Sequence, residues 1–359
     1  MNTKMQSNLK QLIKIIQVHL NTNKIRSEFI ALFLTSLIKV RSVYLADIAT
    51  LFKVTNKFES NYRRIQRFFN EYMMNFTMIG KMLISLLPKE RKFIVAIDRT
   101  NWDFGKTPIN IMLISVIYKN ISFPVCWKLL RKKGHSNYIE RIELFERLFE
   151  ILPEERIKSV IGDREFDGNE FIGYLTEKEI NFHIRIRHTV TYNSHREQKG
   201  KRIKNVLDKV KPNYYFIYPK KVVMYKQMLY VGGKRLPDGD YLILVSLKNP
   251  EEAQTEYKQR WSIEKLFNKF KTRGFNLEST HMTNLDKLEK LIAMVSIAYI
   301  WAFLTGEELK RTSKIKFHES GKKVKSSFDL GMKYLRRVIS FINNTIDEFN
   351  NLVNLLSCA

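Results

Sequence analysis

The sequence has few cysteines, few acidic residues relative to basic ones, and no apolar run of membrane-spanning length. Its 359 residues include two cysteines, Cys126 and Cys358, which excludes a disulfide framework, and it has no C-x-x-C pair for zinc. We therefore expect a reducing compartment. The longest uncharged apolar run, Leu291–Leu304, is shorter than the roughly 20 residues of a membrane helix and predicts a buried helix. The N-terminus lacks the apolar segment of a signal peptide, so none is expected.

The shortage of acidic residues leaves a large positive charge. There are 62 Lys and Arg residues against 36 Asp and Glu, a formal net charge of +26. The hydrophobic fraction of 44% and aromatic fraction of 12% exclude a disordered chain, and the length predicts two or three domains. A charge of this size indicates a polyanionic partner, either nucleic acid or an anionic membrane. Because no apolar run is long enough to span a bilayer, nucleic acid is favoured.

Residues 1–90 have apolar residues at helical spacing and predict a helical domain. Within it, Val43–Tyr72 has the pattern of a helix-turn-helix, with a turn at Val54 and Thr55. The second helix of such a motif enters the major groove. We expect it to present basic and polar side chains outward, with Arg63, Arg64 and Arg67 as DNA contacts beside Lys57 and Asn61. The alternative is an ordinary helical hairpin with a solvated basic face.

From Arg91 onward, short apolar runs alternate with helical patterns and predict an α/β core. A basic, β-rich insertion follows over 189–249, in which Gly232–Gly233 is expected to separate two strands. Helix returns over 250–310, and a basic linker at 311–325 leads to a helical C-terminus that ends at 359 and serves either as a dimerisation surface or as core. In the first part of the core, 91–188, we expect strands over 92–98, 108–130 (two, with a turn at Lys119–Asn120), 157–163 and 181–188, and helices over 137–151 and 169–178.

Two acids end predicted core strands, and a third lies on a later predicted helix. Asp98 and Asp163 follow apolar strands, the position at which open α/β sheets present side chains to ligands. A helix predicted over 251–273 carries Tyr257, Arg260, Glu264 and Lys271 within an arc of roughly 60°. Carboxylates brought together repel one another unless cations lie between them. Two Mg²⁺ ions held between these three carboxylates would suit phosphoryl transfer. The alternative for the 251–273 helix is that its charged side chains form solvated salt bridges on the surface.

The spacing Tyr257-x2-Arg260-x3-Glu264-x6-Lys271 resembles the Y-R-E-K signature of the insertion-sequence-four group of bacterial DDE transposases. AIDRTNWDFGK (96–106) and GDREFDG (162–168) resemble the blocks around that family's first and second catalytic Asp. The resemblance implies a ribonuclease-H-like core in which Asp98, Asp163 and Glu264 bind two Mg²⁺ ions, for which Mn²⁺ substitutes. It also implies that Tyr257, Arg260 and Lys271 contact DNA.

The same resemblance implies what the protein does. Such enzymes bind the inverted-repeat ends of an insertion sequence, cut them, and join the freed 3′-hydroxyl ends to target DNA. They act on double-stranded DNA as dimers or higher synaptic assemblies, in the bacterial cytoplasm with the nucleoid. Two alternatives stay open: a non-catalytic DNA-binding repressor or silenced copy, and a ribonuclease-H-like nuclease acting on another substrate.

Several neighbouring residues have open roles. Arg164 either neutralises phosphate or forms a salt bridge, and His135 lies in a loop that could approach DNA. Asp103, Glu165 and Asp167 lie beside the candidate acids without an assigned part in catalysis, Asp167 being expected to begin the next helix. Related enzymes use an aromatic residue, notably a Trp in the insertion, to hold a flipped base while a DNA hairpin forms. The insertion here contains no Trp, so whether the reaction passes through a hairpin stays open. The candidate substitutes are Tyr214, Tyr215, Phe216, Tyr218, Tyr225 and Tyr230.

Overall fold

The computed structural model describes residues 7–53, 56–193, 200–312 and 326–357. Val54 and Thr55, the predicted turn of the helix-turn-helix, and residues 313–325 of the predicted basic linker lie outside the described residues. The chain divides by packing into two compact units. The first unit comprises Met1–Lys89, Trp102–Ile109 and Phe267–Ala359, and the second comprises Glu90–Asn101 and Asn110–Leu266.

Helices make up most of the first unit and flank the sheet strands in the second. Asparagine side chains begin several of them: Asn23, Asn75 and Asn137 each accept a hydrogen bond from a backbone N–H in the first turn. The helices are α1 (Lys10–Leu20), α2 (Lys24–Val40), α3 (Leu45–Phe52), α4 (Phe58–Glu71), α5 (Phe76–Ser85), α6 (Tyr138–Ile151), α7 (Asn169–Glu177), α8 (Lys204–Leu207), α9 (Ala253–Lys258), α10 (Trp261–Lys271), α11 (Leu285–Thr312), α12 (Ser327–Ser340) and α13 (Ile346–Asn354).

The core of the first unit forms around α2 and α11, which are apolar on nearly every side. Helix α2 packs against α1, α3, α11 and α12. Helix α11 contains the predicted apolar run and is long and apolar enough to cross a membrane, but 89% of its most apolar stretch is buried. The prediction of a buried helix is therefore confirmed. The C-terminal helices contribute Val338, Phe349 and Leu352 to the same core, whereas their role in dimerisation stays a prediction.

The second unit is built on one large mixed sheet. Its strand order is β3-β2-β1-β4-β5-β11-β10-β8, with β9 paired to β10, and β6 and β7 form a separate small sheet. The predicted mixed α/β class is confirmed. The strands are β1 (Phe93–Phe104), β2 (Thr107–Tyr118), β3 (Ile121–Leu129), β4 (Ile157–Gly162), β5 (Phe182–Arg185), β6 (Thr191–Tyr192), β7 (Lys201–Arg202), β8 (Phe216–Ile217), β9 (Val222–Met224), β10 (Gln227–Arg235) and β11 (Tyr241–Ser246).

The centre of the sheet is parallel and buried. Strand β1 pairs with β4 up to Ile97 opposite Gly162, and β4 pairs with β5 in the same direction. Buried parallel strands read as continuous apolar runs, and this explains why β1 and β4 were predicted from sequence. The predicted turn between β2 and β3 is also confirmed, because Lys119 and Asn120 have φ of 49° and 60°, the backbone of a two-residue hairpin turn.

The C-terminal boundary of β1 differs from its prediction. Strand β1 continues past Asp98 to Phe104, whereas the sequence predicted a strand that ends at Asp98. The added residues, 99–104, are mostly polar. Pairing with β2 extends the strand beyond the end of its apolar run. Asp98 is nevertheless the first residue after the parallel pairing with β4.

The strands of the predicted insertion join the main sheet through β11, which is antiparallel to β5. The single strand expected before Gly232–Gly233 is in fact a hairpin, β9–β10, that turns at Tyr225–Lys226. The expected break at Gly232–Gly233 is wrong, since β10 runs through both residues. A side chain at Gly232 would collide with the Tyr215 ring, and one at Gly233 would collide with a backbone carbonyl. These glycines allow close packing and do not form a turn.

Candidate active site

Asp98 and Asp163 lie beside each other at the ends of the paired segments of β1 and β4. Ile97 and Gly162 are partners in the parallel register, and each acid is the next residue. Each carboxylate accepts a hydrogen bond at Oδ1 from the backbone N–H of the residue that follows it, Arg99 or Arg164, at 2.8 Å in both cases. The sheet therefore brings the two predicted strand-end acids together in equivalent backbone settings.

The Asp98 carboxyl is mostly buried, with 13% of its side chain exposed, and this environment shifts its pKa. Burial disfavours the charged form and is the main cause that raises the pKa of Asp98 to about 6. The Arg260 guanidinium opposes this shift, while the negative charges of Asp163 and Glu165 add to it. A buried carboxylate of this kind requires a nearby cation to remain ionised.

Arg260 supplies that cation and joins two of the predicted acids. Its Nη1 donates to Asp98 Oδ2 at 2.9 Å, and its Nη2 donates to Glu264 Oε1 at 2.5 Å. The side chains of Arg260, Asp98 and Glu264 are 14%, 13% and 28% exposed, so water screens the two ion pairs only in part. A single guanidinium group therefore joins Glu264, the predicted helical acid, to Asp98, a predicted strand acid.

Tyr257 completes the contacts to the second acid. Its hydroxyl donates to Asp163 Oδ1 at 3.3 Å, and its ring centroid lies 5.7 Å from the Arg260 guanidinium carbon. Burial raises the pKa of Tyr257 to about 12, so the hydroxyl keeps its proton at neutral pH.

The helix predicted over 251–273 is two helices, α9 and α10. Backbone N–H groups of Arg260 and Ile263 donate to the carbonyls of Tyr257 and Arg260, three residues back. This 3₁₀-type junction tightens the backbone to three residues per turn. The junction puts Tyr257 and Arg260 directly above each other, whereas a continuous α-helix would separate them by roughly 60°.

Lys271, the last member of the predicted stripe, belongs to the first unit. Its Nζ forms an ion pair with Glu278 Oε1 at 3.0 Å and lies 5.1 Å from the Trp102 ring centroid. Its predicted contact with DNA stays a prediction.

Arg164 forms a salt bridge, one of the two roles left open for it. Its Nη2 lies 3.3 Å from Asp240 Oδ2, and Arg185 Nη2 donates to the same oxygen at 3.0 Å. Arg185 Nη1 also lies 3.9 Å from Asp163 Oδ1. Arg185 was not among the predicted site residues, although its place on β5, the strand next to β4, was a usable signal.

Glu165 was assigned no part in catalysis, and Arg99 was not considered. The two side chains form a bidentate ion pair with an Nε–Oε1 distance of 3.0 Å. His135 Nδ1 approaches Glu165 Oε2 at 3.4 Å, which brings the predicted loop histidine to this pair. Asp167 does not begin the next helix, because Gly168 precedes α7 as its N-cap. Instead, Asp167 Oδ2 accepts a hydrogen bond from Tyr225 at 3.3 Å.

The insertion aromatics mostly have packing roles. Tyr215 is packed against Gly232, Tyr218 lies 5.6 Å from the Tyr192 ring, and Lys221 lies over Tyr230. Tyr214 differs, with 63% of its surface exposed.

Carboxylate oxygens are the donors that a hard divalent cation prefers, so the chemistry of Asp98, Asp163 and Glu264 fits Mg²⁺. Within the described ranges, no group of three or more His, Cys, Asp or Glu side chains has a geometry that could hold a metal ion. Arg260 contacts both Asp98 and Glu264 and provides positive charge there. Metal binding by these acids would therefore require Arg260 to release at least one of them.

The N-terminal basic surface lies on α4 in the first unit. A groove of about 460 Å³ is lined by Lys57, Glu59, Ser60, Arg63, Arg64 and Arg67. The expectation that all the polar side chains of this helix point outward is wrong for Asn61. That residue is buried and donates to the carbonyls of Ala49 and Lys53. Such carbonyls at the end of α3 have no partner within the helix, and Asn61 satisfies them.

Comparison with known proteins gives the family. The model of the transposase DDE domain matches residues 91–301, more than half of the chain, so the protein belongs to the transposase DDE domain family. The transposase part of the predicted resemblance is thereby confirmed.

A solved structure with similarity to the chain is the piggyBac transposase synaptic complex with hairpin DNA, determined by cryo-EM. The identity is 13%, the match covers 97% of this chain and 82% of that chain, and the TM-score is 0.48. No curated protein matches the sequence.

Proposed function

We propose that the protein is a DNA transposase of the insertion-sequence-four type, with Asp98, Asp163 and Glu264 as its catalytic acids. The observation that carries the proposal is the convergence of Tyr257, Arg260 and Glu264 on the strand acids: Arg260 bridges Asp98 and Glu264, and Tyr257 contacts Asp163. The strand order β3-β2-β1-β4-β5 supports a ribonuclease-H-like core. The proposed reaction is cleavage of inverted-repeat ends, followed by joining of the 3′-hydroxyl ends to target DNA.

Each chemical group has a defined task in this proposal. The three acids would hold two Mg²⁺ ions, or Mn²⁺, which when bound would activate the attacking oxygen and stabilise the leaving oxygen. Arg260 has the planar fork that binds a phosphate through two hydrogen bonds. If Arg260 turned towards a DNA phosphate, it would free oxygens on Asp98 and Glu264. Tyr257, which is protonated at neutral pH, would donate a hydrogen bond within the site.

Other basic residues are also proposed to contact DNA. Arg63, Arg64 and Arg67 of the α4 groove are proposed to bind the transposon end, and Lys271 and Arg164 are proposed to bind DNA phosphates. Two ends must be cut and joined together, so the working form is proposed to be a dimer or higher assembly on DNA, in the cytoplasm. Whether excision passes through a hairpin depends on whether an insertion aromatic holds a flipped base, and Tyr214 is the exposed candidate.

The direct experiment incubates the purified full-length chain with Mg²⁺ and a duplex carrying the inverted repeat that flanks its gene. We expect Asp98→Asn and Glu264→Gln each to reduce the cleavage rate at least about a hundredfold while duplex binding is retained. Asp208→Asn is the matched control, because that acid contacts Tyr241 elsewhere in the same unit. Equal cleavage by wild type and both active-site variants would contradict the proposal.

The second candidate is a non-catalytic DNA-binding protein. It is favoured by the engagement of Asp98 and Glu264 with Arg260, which leaves the acids neutralised without metal. For this candidate, the wild-type chain would bind its flanking duplex and leave it intact under all divalent-ion conditions.

A further inference from the structure

We propose that Arg99 and Glu165 are a positioning pair that fixes the separation of the Asp98 and Asp163 carboxylates. The inference rests on the proposed function, since it assigns these carboxylates to cation binding. Neither member of the pair belongs to the proposed acids or to the Y-R-E-K set. Both lie in the second unit with the residues that they are proposed to position.

The pair has the geometry of a fork. Arg99 Nε lies 3.0 Å from Glu165 Oε1 and 3.2 Å from Oε2, and Arg99 Nη2 donates to Oε2 at 3.1 Å. The two side chains are 11% and 16% exposed. A bidentate pair of this kind fixes orientation as well as distance, which a single contact does not do.

Each member of the pair is connected to one acid through the backbone. The Arg99 N–H holds Asp98 Oδ1, and the Arg164 N–H, one residue before Glu165, holds Asp163 Oδ1. Asp98, Arg99, Glu165, Arg164 and Asp163 therefore form a chain of contacts from one carboxylate to the other. A change in the Arg99–Glu165 fork would shift the two N–H donors that orient the acids.

The fork is supported by buried side chains behind it. Asn110 is 1% exposed; its Oδ1 accepts from Arg99 Nη1 at 3.0 Å, and its Nδ2 donates to the carbonyls of Lys132 and Gly134. Arg141 is 6% exposed and donates to the Glu165 carbonyl at 2.6 Å. These contacts restrain both ends of the pair. Residues that orient metal ligands without binding the metal themselves are commonly held in this way.

Glu165 acting directly as a fourth metal ligand is the competing explanation. Both of its carboxylate oxygens accept from Arg99, which favours the positioning role. The two explanations differ in what they predict for Arg99, because only a positioning role requires the guanidinium fork. Lys keeps the charge of Arg and lacks the fork, so Arg99→Lys separates them.

The test measures binding of Mn²⁺ alone to the full-length protein by electron paramagnetic resonance, with thermal unfolding recorded for every variant. We expect Arg99→Lys and Glu165→Gln each to weaken Mn²⁺ binding about 10- to 100-fold, with the melting temperature close to that of wild type for Arg99→Lys. Lys178→Gln is the control, because it removes an ion pair with Glu154 on the same unit.

Each other outcome has a distinct meaning. Wild-type affinity in both Arg99→Lys and Glu165→Gln, with weakened binding in Asp98→Asn, would overturn the positioning role alone. Loss of binding in Glu165→Gln with wild-type affinity in Arg99→Lys would also overturn it and make Glu165 a ligand. Equal Mn²⁺ binding by wild type and Asp98→Asn would overturn the proposed function, and the positioning role with it.

Discussion

Glu256 is a buried carboxylate directly before Tyr257, and its partners lie on the strands beneath. Lys158 Nζ lies 2.6 Å from its Oε1, His183 Nε2 approaches its Oε2 at 3.4 Å, and Ser159 donates to the same oxygen. Burial opposes ionisation of Glu256, but the bonds from His183, Lys158 and Ser159 outweigh it and lower the pKa to about 2. This residue attaches α9 to β4 and β5.

The lowered pKa predicts an acid-dependent contribution to stability. Because the folded-state pKa lies below the ordinary glutamate value of 4.5, the stabilisation is complete above pH 4.5 and is lost as the pH falls towards 2. Glu256→Gln should lower the free energy of unfolding by about 2 kcal/mol at pH 7 and flatten its dependence on pH below 4.5. Urea unfolding at a series of pH values measures both, with the exposed Glu251→Gln as control. If the free energy of unfolding depends on pH below 4.5 in the same way in Glu256→Gln as in wild type, the assignment is wrong.

Residue pairs such as Arg99–Glu165 show where sequence reasoning ends. The strand-end acids could be predicted because an apolar run followed by Asp is a local pattern. Arg99 and Glu165, which lie near those acids in the chain, are 66 positions apart in sequence. Only the pairing of β1 with β4 brings the two side chains together. The Y-R-E-K spacing was informative because four residue types recur at fixed offsets, yet the 3₁₀ junction within it was not visible.

At the scale of elements, the arginines of α4 divide into two kinds. Arg64 lies over the Phe52 and Phe29 rings, at 5.6 Å and 5.9 Å from their centroids, whereas Arg63 and Arg67 are exposed. The helical period that predicted α4 could not separate these roles, because the aromatic partners come from α2 and α3.

The division predicts that two arginines of one helix differ in their effect on stability. Arg64→Ala should destabilise the protein by about 1 kcal/mol through loss of the cation–π and packing contacts. Arg63→Ala should leave stability within about 0.5 kcal/mol of wild type and weaken binding to the flanking duplex, with the salt slope reduced by about 1. Thermal unfolding and fluorescence anisotropy measure the two effects. Equal destabilisation by both substitutions would argue against the assignment.

At the scale of the whole molecule, the charge of +26 predicts strongly salt-dependent DNA binding. Each phosphate neutralised by Lys or Arg releases counterions, so log K should fall linearly and steeply with log salt. Titration of a labelled duplex at increasing KCl concentrations measures the slope, with a neutral peptide-nucleic-acid duplex as the control ligand. A nearly flat line would indicate that the positive charge does not contact DNA.

The division of the chain into units affects how the protein is made. The first unit contains Met1–Lys89 and Phe267–Ala359, and Glu90–Leu266 is synthesised between them. Helix α2 packs against α11 and α12, which leave the ribosome after Glu90–Leu266. At about 5–20 residues per second, the apolar faces of the N-terminal helices must wait on the order of ten to forty seconds for their partners. During translation, these helices therefore expose apolar surface that a chaperone could protect.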